Sequence, residues 1–369
     1  MKTYRLTFGA IIFFSLFALV IQYILTFSLF DNNNLLFENY GDDYYYLNNF
    51  KYYDPSDIVL TGLAKLYQIT PYNAFLYYVL TYFGFYGYFI LETILFVYSN
   101  YCFYKICQSC LTNNLPNYAL ALHLILPLRY IWLFSYYKDS ILLSCTIVLI
   151  YFIVYNQNQK LKYLFSAVIF LIRPFSLIII LIANGIKKKY LIGTIALLTT
   201  LITLFLFVFD DYSYFFRKER TELIISKLSE IPFNDTGVLN WIAPIFIVVF
   251  TLIQPLPIFD GASDIYSKID TIAQIDGIIK LIITPSILLG LFYIKKFYMD
   301  KKISFYLKLL LLNSLFISIG FLFLTNRHIL AMLPWQIIFS LYVIQEKGFK
   351  TIGLICLFAG AFLLNVMSR

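Results

Sequence analysis

Long apolar runs separated by short polar stretches set the pattern of this chain. The first covers residues 6–30, behind Lys2 and Arg5. Others cover 72–107, 117–134, 141–155, 163–186, 191–209, 238–259, 277–293, 303–324, 329–344 and 351–366. A helix of ~20 residues crosses a bilayer's hydrocarbon core, so the runs predict an all-α polytopic membrane protein with about 9–11 transmembrane helices. The first run is too long for a signal-peptide core and lacks a small-residue cleavage site, which predicts an uncleaved span. Basic residues favour the cytoplasmic side, so the N-terminus is expected inside.

The polar stretches carry their own pattern. Residues 31–57 hold Asp31, Glu38, Asp42, Asp43, Asp54 and Asp57 against Lys51 alone, as expected of an external loop. Within 57–67, Ile58, Val59, Leu63 and Leu66 fall on one helical face while Lys65 snorkels, a short amphipathic helix on the membrane. Residues 31–71 thus form a first external loop with an amphipathic helix. Residues 210–275 form a second external region, with a surface helix in 210–235 and a re-entrant or surface-lying pair in 238–259, where Pro244, Pro255 and Pro257 interrupt the run. Residues 1–369 read as a single integral membrane domain without a soluble part or internal repeat.

The run 163–186 is flanked by Lys160 and Lys162 before it and Lys187, Lys188 and Lys189 after it, with Arg173-Pro174 at its centre. Lysines at both ends place both ends inside. Proline cannot continue the helical ladder and restrains the residue before it. The run therefore predicts a hairpin of two short helices broken at Arg173-Pro174, with Arg173 facing a cavity, since broken backbone at membrane depth needs protein or water around it. Similarly, 138–140 reads as a tight outer connection before a short span over 141–155.

Composition agrees with this picture. Of 369 residues, 61% are hydrophobic and 13% charged, and the mean hydropathy is +0.78; a soluble surface needs more charge. The formal net charge of +8 is dispersed between apolar runs, not gathered into a basic patch, which argues against nucleic-acid binding. Five cysteines show no disulfide framework or zinc spacing, and Cys107-x-x-Cys110 reads as an incidental pair at the end of a span. No Walker loop, GxGxxG, GxSxG or HExxH occurs.

Candidate chemistry gathers at the predicted outer face. Asp42 and Asp43, followed by Tyr44, Tyr45 and Tyr46, could take a proton from a sugar hydroxyl or hold a divalent metal such as Mg or Mn; the plain alternative is a solvated loop with a Tyr belt at headgroup level. Arg129, Lys138, Asp139, Arg173, Arg327 and His328 fall at the same side on this topology. Glu92 and His123 lie deep in apolar runs, where a hydrogen-bonded packing role outweighs a functional one. Carboxylates and cations at an outer membrane face suit a lipid-phosphate substrate.

This order of features resembles the GT-C superfamily of polytopic glycosyltransferases, bacterial mannosyltransferase-like members included, which use polyprenyl- or dolichyl-phosphate sugars. The resemblance rests on Asp42-Asp43 in the first external loop, the amphipathic 57–67 stretch, Lys138-Asp139 before a span and Arg173-Pro174 between short helices. It also rests on Asn326-Arg327-His328-Ile329-Leu330 followed by Pro334; His328 stands where many members carry Tyr. The resemblance implies transfer of a sugar from a polyprenyl-phosphate donor to a glycan or lipid-linked acceptor outside a bacterial plasma membrane. It implies Asp42 or Asp43 as base or metal ligand, and Arg173 and Arg327, with Lys138 and Arg129, at the lipid phosphate. Asp139, His328 and Tyr44 would line the cavity. Two other readings stay open: an O-antigen or capsular polysaccharide polymerase or ligase, and a flippase or transporter of lipid-linked oligosaccharides.

Overall fold

The structure, a computed structural model, describes residues 5–29, 71–133, 138–185, 252, 276–277, 280–281, 283–320, 330–348 and 350–355. All regular structure among them is helical. The chain divides into two compact units, Met1–Ile178 with Phe259–Asp276, and Ile179–Ile258 with Gly277–Arg369.

The first unit contains α1 (Phe8–Leu29), α2 (Pro71–Cys110), α3 (Leu115–Ile125), α4 (Leu128–Leu133), α5 (Lys138–Val154) and α6 (Gln159–Ile172). Helix α7 (Pro174–Gly185) begins here and crosses the division. Helix α5 is the axis of the unit. It packs along α2 on one side and α6 on another, and it is buried on nearly all sides. Helix α1 lies against α2, α3 and α4.

Three breaks shape this unit. Helix α2 is interrupted at Gly84 (φ 64°, ψ −175°), a conformation essentially reserved for glycine. The run expected as one span over 117–134 is two helices instead. Pro127 has no N–H to offer the preceding turn, so α3 ends at Leu126 (φ −67°, ψ 110°) and α4 starts afresh; hydropathy alone does not register a proline inside an apolar run. The third break is at Arg173, whose backbone is extended (φ −156°, ψ 91°) between α6 and α7, at the Arg-Pro step where the sequence predicts it. Arg173 N–H still donates to the Ile169 carbonyl (2.8 Å), and Ser176 N–H starts the next helix from the Arg173 carbonyl (3.0 Å).

Other boundaries also shift. Residues 138–140 are not a connection but the first turn of α5, so the helix is longer than the apolar run alone suggests. An acidic Asp139 there is favourable to the helix dipole. Cys107 and Cys110 lie in the last turns of α2, and their thiols are free and buried. The turn before α6 uses Asn156 and Asn158 at positive φ, a conformation asparagine tolerates, and the Asn158 side chain accepts from the Leu161 N–H (3.3 Å).

The second unit contains α8 (Thr284–Phe292), α9 (Ile294–Met299), α10 (Ser304–Gly320) and α11 (Leu333–Lys347). Helix α8 carries Pro285 in its first turn, and Asp276, Gly277 and Lys280 before it are also helical. Likewise α11 starts at Leu333, with Pro334 in its first turn, and absorbs Glu346 and Lys347. Helix α11 is the centre of the unit, packed against α8 and α10. Lys296 of α9 pairs with Glu346 of α11 (3.2 Å), and the Tyr342 hydroxyl binds the Asp300 carboxylate.

Among the described residues, one helical window, Phe8–Leu25, is long and apolar enough to cross a membrane by length and composition. Leu115–Ile125, Ser176–Gly185 and Ser304–Leu315 are shorter apolar helices. The expected loop 31–70, the run 191–209, the region 210–251 and the turn 325–329 lie outside the described residues.

Helix α8 meets α11 closely at Gly290, where an added Cβ would come within 2.6 Å of the Phe339 ring and 2.9 Å of a Val343 methyl. Overpacking of this kind costs about 1–3 kcal/mol. Gly290→Ala is expected to lower the apparent unfolding temperature in detergent, whereas Gly9→Ala, with open space around it, is expected to leave it unchanged. Equal temperatures for Gly290→Ala and the parent would show that the contact is not tight.

Candidate functional site

The break between α3 and α4 is built from within the protein. Where Leu126 leaves the helix, the carbonyls of Leu124 and Ile125 lose their ladder partners. The Tyr130 hydroxyl donates to Leu124 (2.7 Å) and the Gln22 side-chain amide donates to Ile125 (3.0 Å). With its freed carbonyls satisfied, the bend can sit in an apolar interior. It places Arg129 in the first turn of α4, pointing at α2.

Arg129 is only 2% exposed. Its Nη1 donates to Asn100 Oδ1 (2.7 Å) and its Nη2 to Ser99 Oγ (3.3 Å). The guanidinium carbon lies 4.2 Å from the centre of the Phe96 ring. Phe96, Ser99 and Asn100 share one face of α2 because residues three and four apart are neighbours on a helix. The bonds then spread to other helices. Asn100 Nδ2 donates to Ser15 Oγ of α1 (3.0 Å). Ser99 donates to the Phe96 carbonyl (2.7 Å), and its Oγ lies 3.4 Å from Ser144 Oγ of α5. One cation thus ties α1, α2, α4 and α5 together. Among the described residues it meets no carboxylate, and its charge is held by neutral acceptors and an aromatic face.

The second polar feature sits at the α6–α7 break. Arg173 Nη2 bonds Asp139 Oδ1 at 2.7 Å; the Asp139 side chain is 4% exposed and that of Arg173 18%. Asp139 comes from the first turn of α5, beside Lys138. The bond uses one of the five N–H groups of the guanidinium fork. Removing Arg173 would leave a buried carboxylate without its cation, a loss of roughly 3 kcal/mol or more.

These two features are not one. Asp139 and Ser144 are five residues apart on α5, which separates them by about 7.5 Å along the axis and about 140° around it. Asp139 therefore faces the α6–α7 break while Ser144 faces α2. The structure brings Asp139 and Arg173 together, sets Lys138 next to them in the chain, and places Arg129 in a separate buried node. Arg129, expected at a substrate phosphate, is instead occupied by side chains of α2. Asp42, Asp43, Tyr44, Arg327 and His328 lie outside the described residues.

Two buried residues singled out by the sequence can also be placed. Glu92 is 2% exposed in α2. His123 is fully buried against Phe103, ring centroids 4.2 Å apart, and among the described residues neither ring nitrogen has a hydrogen-bond partner; there it packs, but not as the satisfied histidine expected. Among the described residues no group of three or more His, Cys, Asp or Glu gathers in a metal-binding arrangement.

The second unit holds buried cations that sequence reasoning does not single out. Lys280 donates to Gln336 Oε1 (2.7 Å), and Gln336 Nε2 donates to the Leu252 carbonyl (2.7 Å). Lys308 of α10 reaches the Ala183 carbonyl at the C-terminal end of α7 (3.4 Å), where a positive charge complements the helix dipole. The signal available was a lone lysine within each apolar run, 277–293 and 303–324.

No family model, curated protein or solved structure matches this chain.

Arg129→Met removes the donor from both Asn100 and Ser99, and each orphaned buried group costs roughly 1–3 kcal/mol. It is expected to lower the apparent unfolding temperature markedly, and Arg129→Lys less so. If Arg129→Met unfolds at the parental temperature in detergent, the node does not hold the helices together.

Proposed function

We propose that this chain is a polytopic membrane glycosyltransferase of the GT-C kind, with about 9–11 spans, transferring a sugar from a polyprenyl-phosphate donor to a glycan or lipid-linked acceptor at the outer face of a bacterial plasma membrane. Support for the membrane setting comes from an inverted partition of side chains. In α1, Ser15 and Gln22 are buried while Phe13, Phe17 and Ile24 are more than half exposed. In α2, Glu92, Ser99 and Asn100 are buried while Ile90 and Ile94 are more than half exposed. Large exposed apolar surfaces are costly in water and unremarkable in lipid.

The observation that carries the enzymatic reading is the Asp139–Arg173 pair at a broken helix. A carboxylate that holds one edge of a guanidinium fixes its direction and leaves the other N–H groups for an anion, and a planar, permanently charged fork suits phosphate. In the reaction the acceptor hydroxyl oxygen bonds to the anomeric carbon as the bond from that carbon to the phosphate oxygen breaks. The electron pair leaves with the lipid phosphate, where Arg173 and Arg327 neutralise it. The hydroxyl proton passes to Asp42 or Asp43. Lys138 belongs to the same cationic rim. A divalent ion such as Mg or Mn at Asp42 and Asp43 would serve as a further charge partner.

Transfer of radiolabelled sugar from polyprenyl-phosphate sugars, in membranes containing the protein, tests this reading. Losing a charge partner of the transition state costs about 10²–10³ in rate. Arg173→Ala is expected to lose that much together with lipid-phosphate affinity. Asp→Asn at the true base is expected to lose turnover with little change in affinity. Intact transfer in both Asp42→Asn and Asp43→Asn places the base elsewhere and favours the polymerase or ligase reading. Movement of lipid-linked sugar across the bilayer without transfer favours the flippase.

A further inference from the structure

The end of the first unit opposite Asp139 has a different chemistry. There the start of α1 meets the end of α2. Leu6 N–H donates to the Tyr104 hydroxyl (2.9 Å) and Phe8 packs edge-on against Tyr101 (5.0 Å). The end of α5 joins them: the Tyr151 ring lies 6.4 Å from Tyr101 and 4.9 Å from Tyr155. The Tyr155 hydroxyl donates to the Lys105 carbonyl (2.7 Å).

Four cations belong to the same helix ends: Arg5 before α1, Lys105 near the end of α2, and Lys160 and Lys162 in the first turn of α6. The Lys105 ammonium lies 5.6 Å from the Tyr101 ring centre, and Lys162 Nζ donates to Asn156 Oδ1 (2.9 Å) across the turn that opens α6. Within residues 5–29, 71–133 and 138–185 the only carboxylates are Glu92 and Asp139. Glu92 is thirteen residues from Lys105 along α2, about 20 Å, and Asp139 is sixteen from Tyr155, about 24 Å. Both exceed the screening length of ~8 Å at physiological salt. Among the described residues none of the four cations has an ion-pair partner. Above the turn, the exposed apolar faces of α1 and α6 continue the surface, with Phe13 and Phe17 on one and Leu164 and Phe170 on the other.

We propose that this basic, tyrosine-lined end of the first unit is a binding surface for anionic phospholipid, with Arg5, Lys105, Lys160 and Lys162 on the headgroup phosphates and Tyr101, Tyr151 and Tyr155 at headgroup level. Tyrosine suits that depth because its ring is apolar and its tip polar, and lysine can keep its stem in lipid while its ammonium reaches the phosphates. Each basic side chain at an anionic surface strengthens association severalfold. The inference rests on the membrane setting proposed above but not on the transferase activity.

The test uses the full-length protein reconstituted in phosphatidylcholine with a minor share of phosphatidylglycerol. Spin-labelled forms of each lipid report their relative association with the protein. The parent is expected to prefer phosphatidylglycerol severalfold. Lys105→Gln/Lys160→Gln/Lys162→Gln is expected to lose most of that preference, and Lys105→Arg/Lys160→Arg/Lys162→Arg to keep it. High salt is expected to weaken the preference of the parent, a readout that needs no variant to fold. Equal association of the two lipids with the parent, or an unchanged preference in the glutamine variant, overturns the proposal. Release of the parent from cell membranes by alkaline carbonate would instead overturn the membrane setting, so the two failures are distinguishable.

Discussion

A guanidinium buried among neutral groups is the most demanding object in the first unit, and the helices around it are arranged to meet its demands. Moving a charge out of water is expensive, and the expense falls only if hydrogen bonds replace the lost hydration. Arg129 obtains them from Asn100 and Ser99 and adds the face of Phe96. Those residues must lie on one side of α2, and α4 must enter at the angle set by Pro127. Asn100 and Ser99 in turn need partners on α1 and α5. The bend, the α2 face and the α1 contact are consequences of one buried charge.

That arrangement also fixes α5, and α5 carries Asp139 in its first turn. The Asp139–Arg173 bond crosses from α5 to the break between α6 and α7. The two polar features therefore share a helix without sharing a face. One secures the unit's interior, and the other holds a cation at an interrupted helix. In the proposed reaction the first has no contact with substrate and supports the second through α5.

Much of the helical framework was legible because apolar runs and prolines are local signals. The first helix and the break at Arg173-Pro174 follow from residues that are neighbours in sequence. The break at Pro127 was equally local, but its leucine neighbours made the run look continuous. The start of α5 at Lys138 was missed because charged residues read as a loop, although Asp139 suits a first turn. The Arg129 node was not legible at all. Ser15, Ser99, Asn100 and Ser144 are ordinary polar residues in apolar runs, and their pairings between helices span 29 to 85 positions. Lys280 and Lys308 were visible as lone cations, but their partners Gln336 and Ala183 were not, for the same reason. Asp42, Asp43, Arg327 and His328 lie outside the described residues, and their roles belong to the proposal alone.

The account depends on the acidic first loop and the Lys187–Lys189 run lying on opposite sides of a membrane. Single cysteines introduced at Asn48 and Lys188, in a chain whose native cysteines have been replaced, can be treated with a membrane-impermeant thiol reagent in intact cells. Labelling at position 48, with position 188 reacting only after permeabilisation, is the predicted result. Labelling at 188 but not at 48 would invert the topology, remove Asp42 and Asp43 from the outer face and contradict the proposed site.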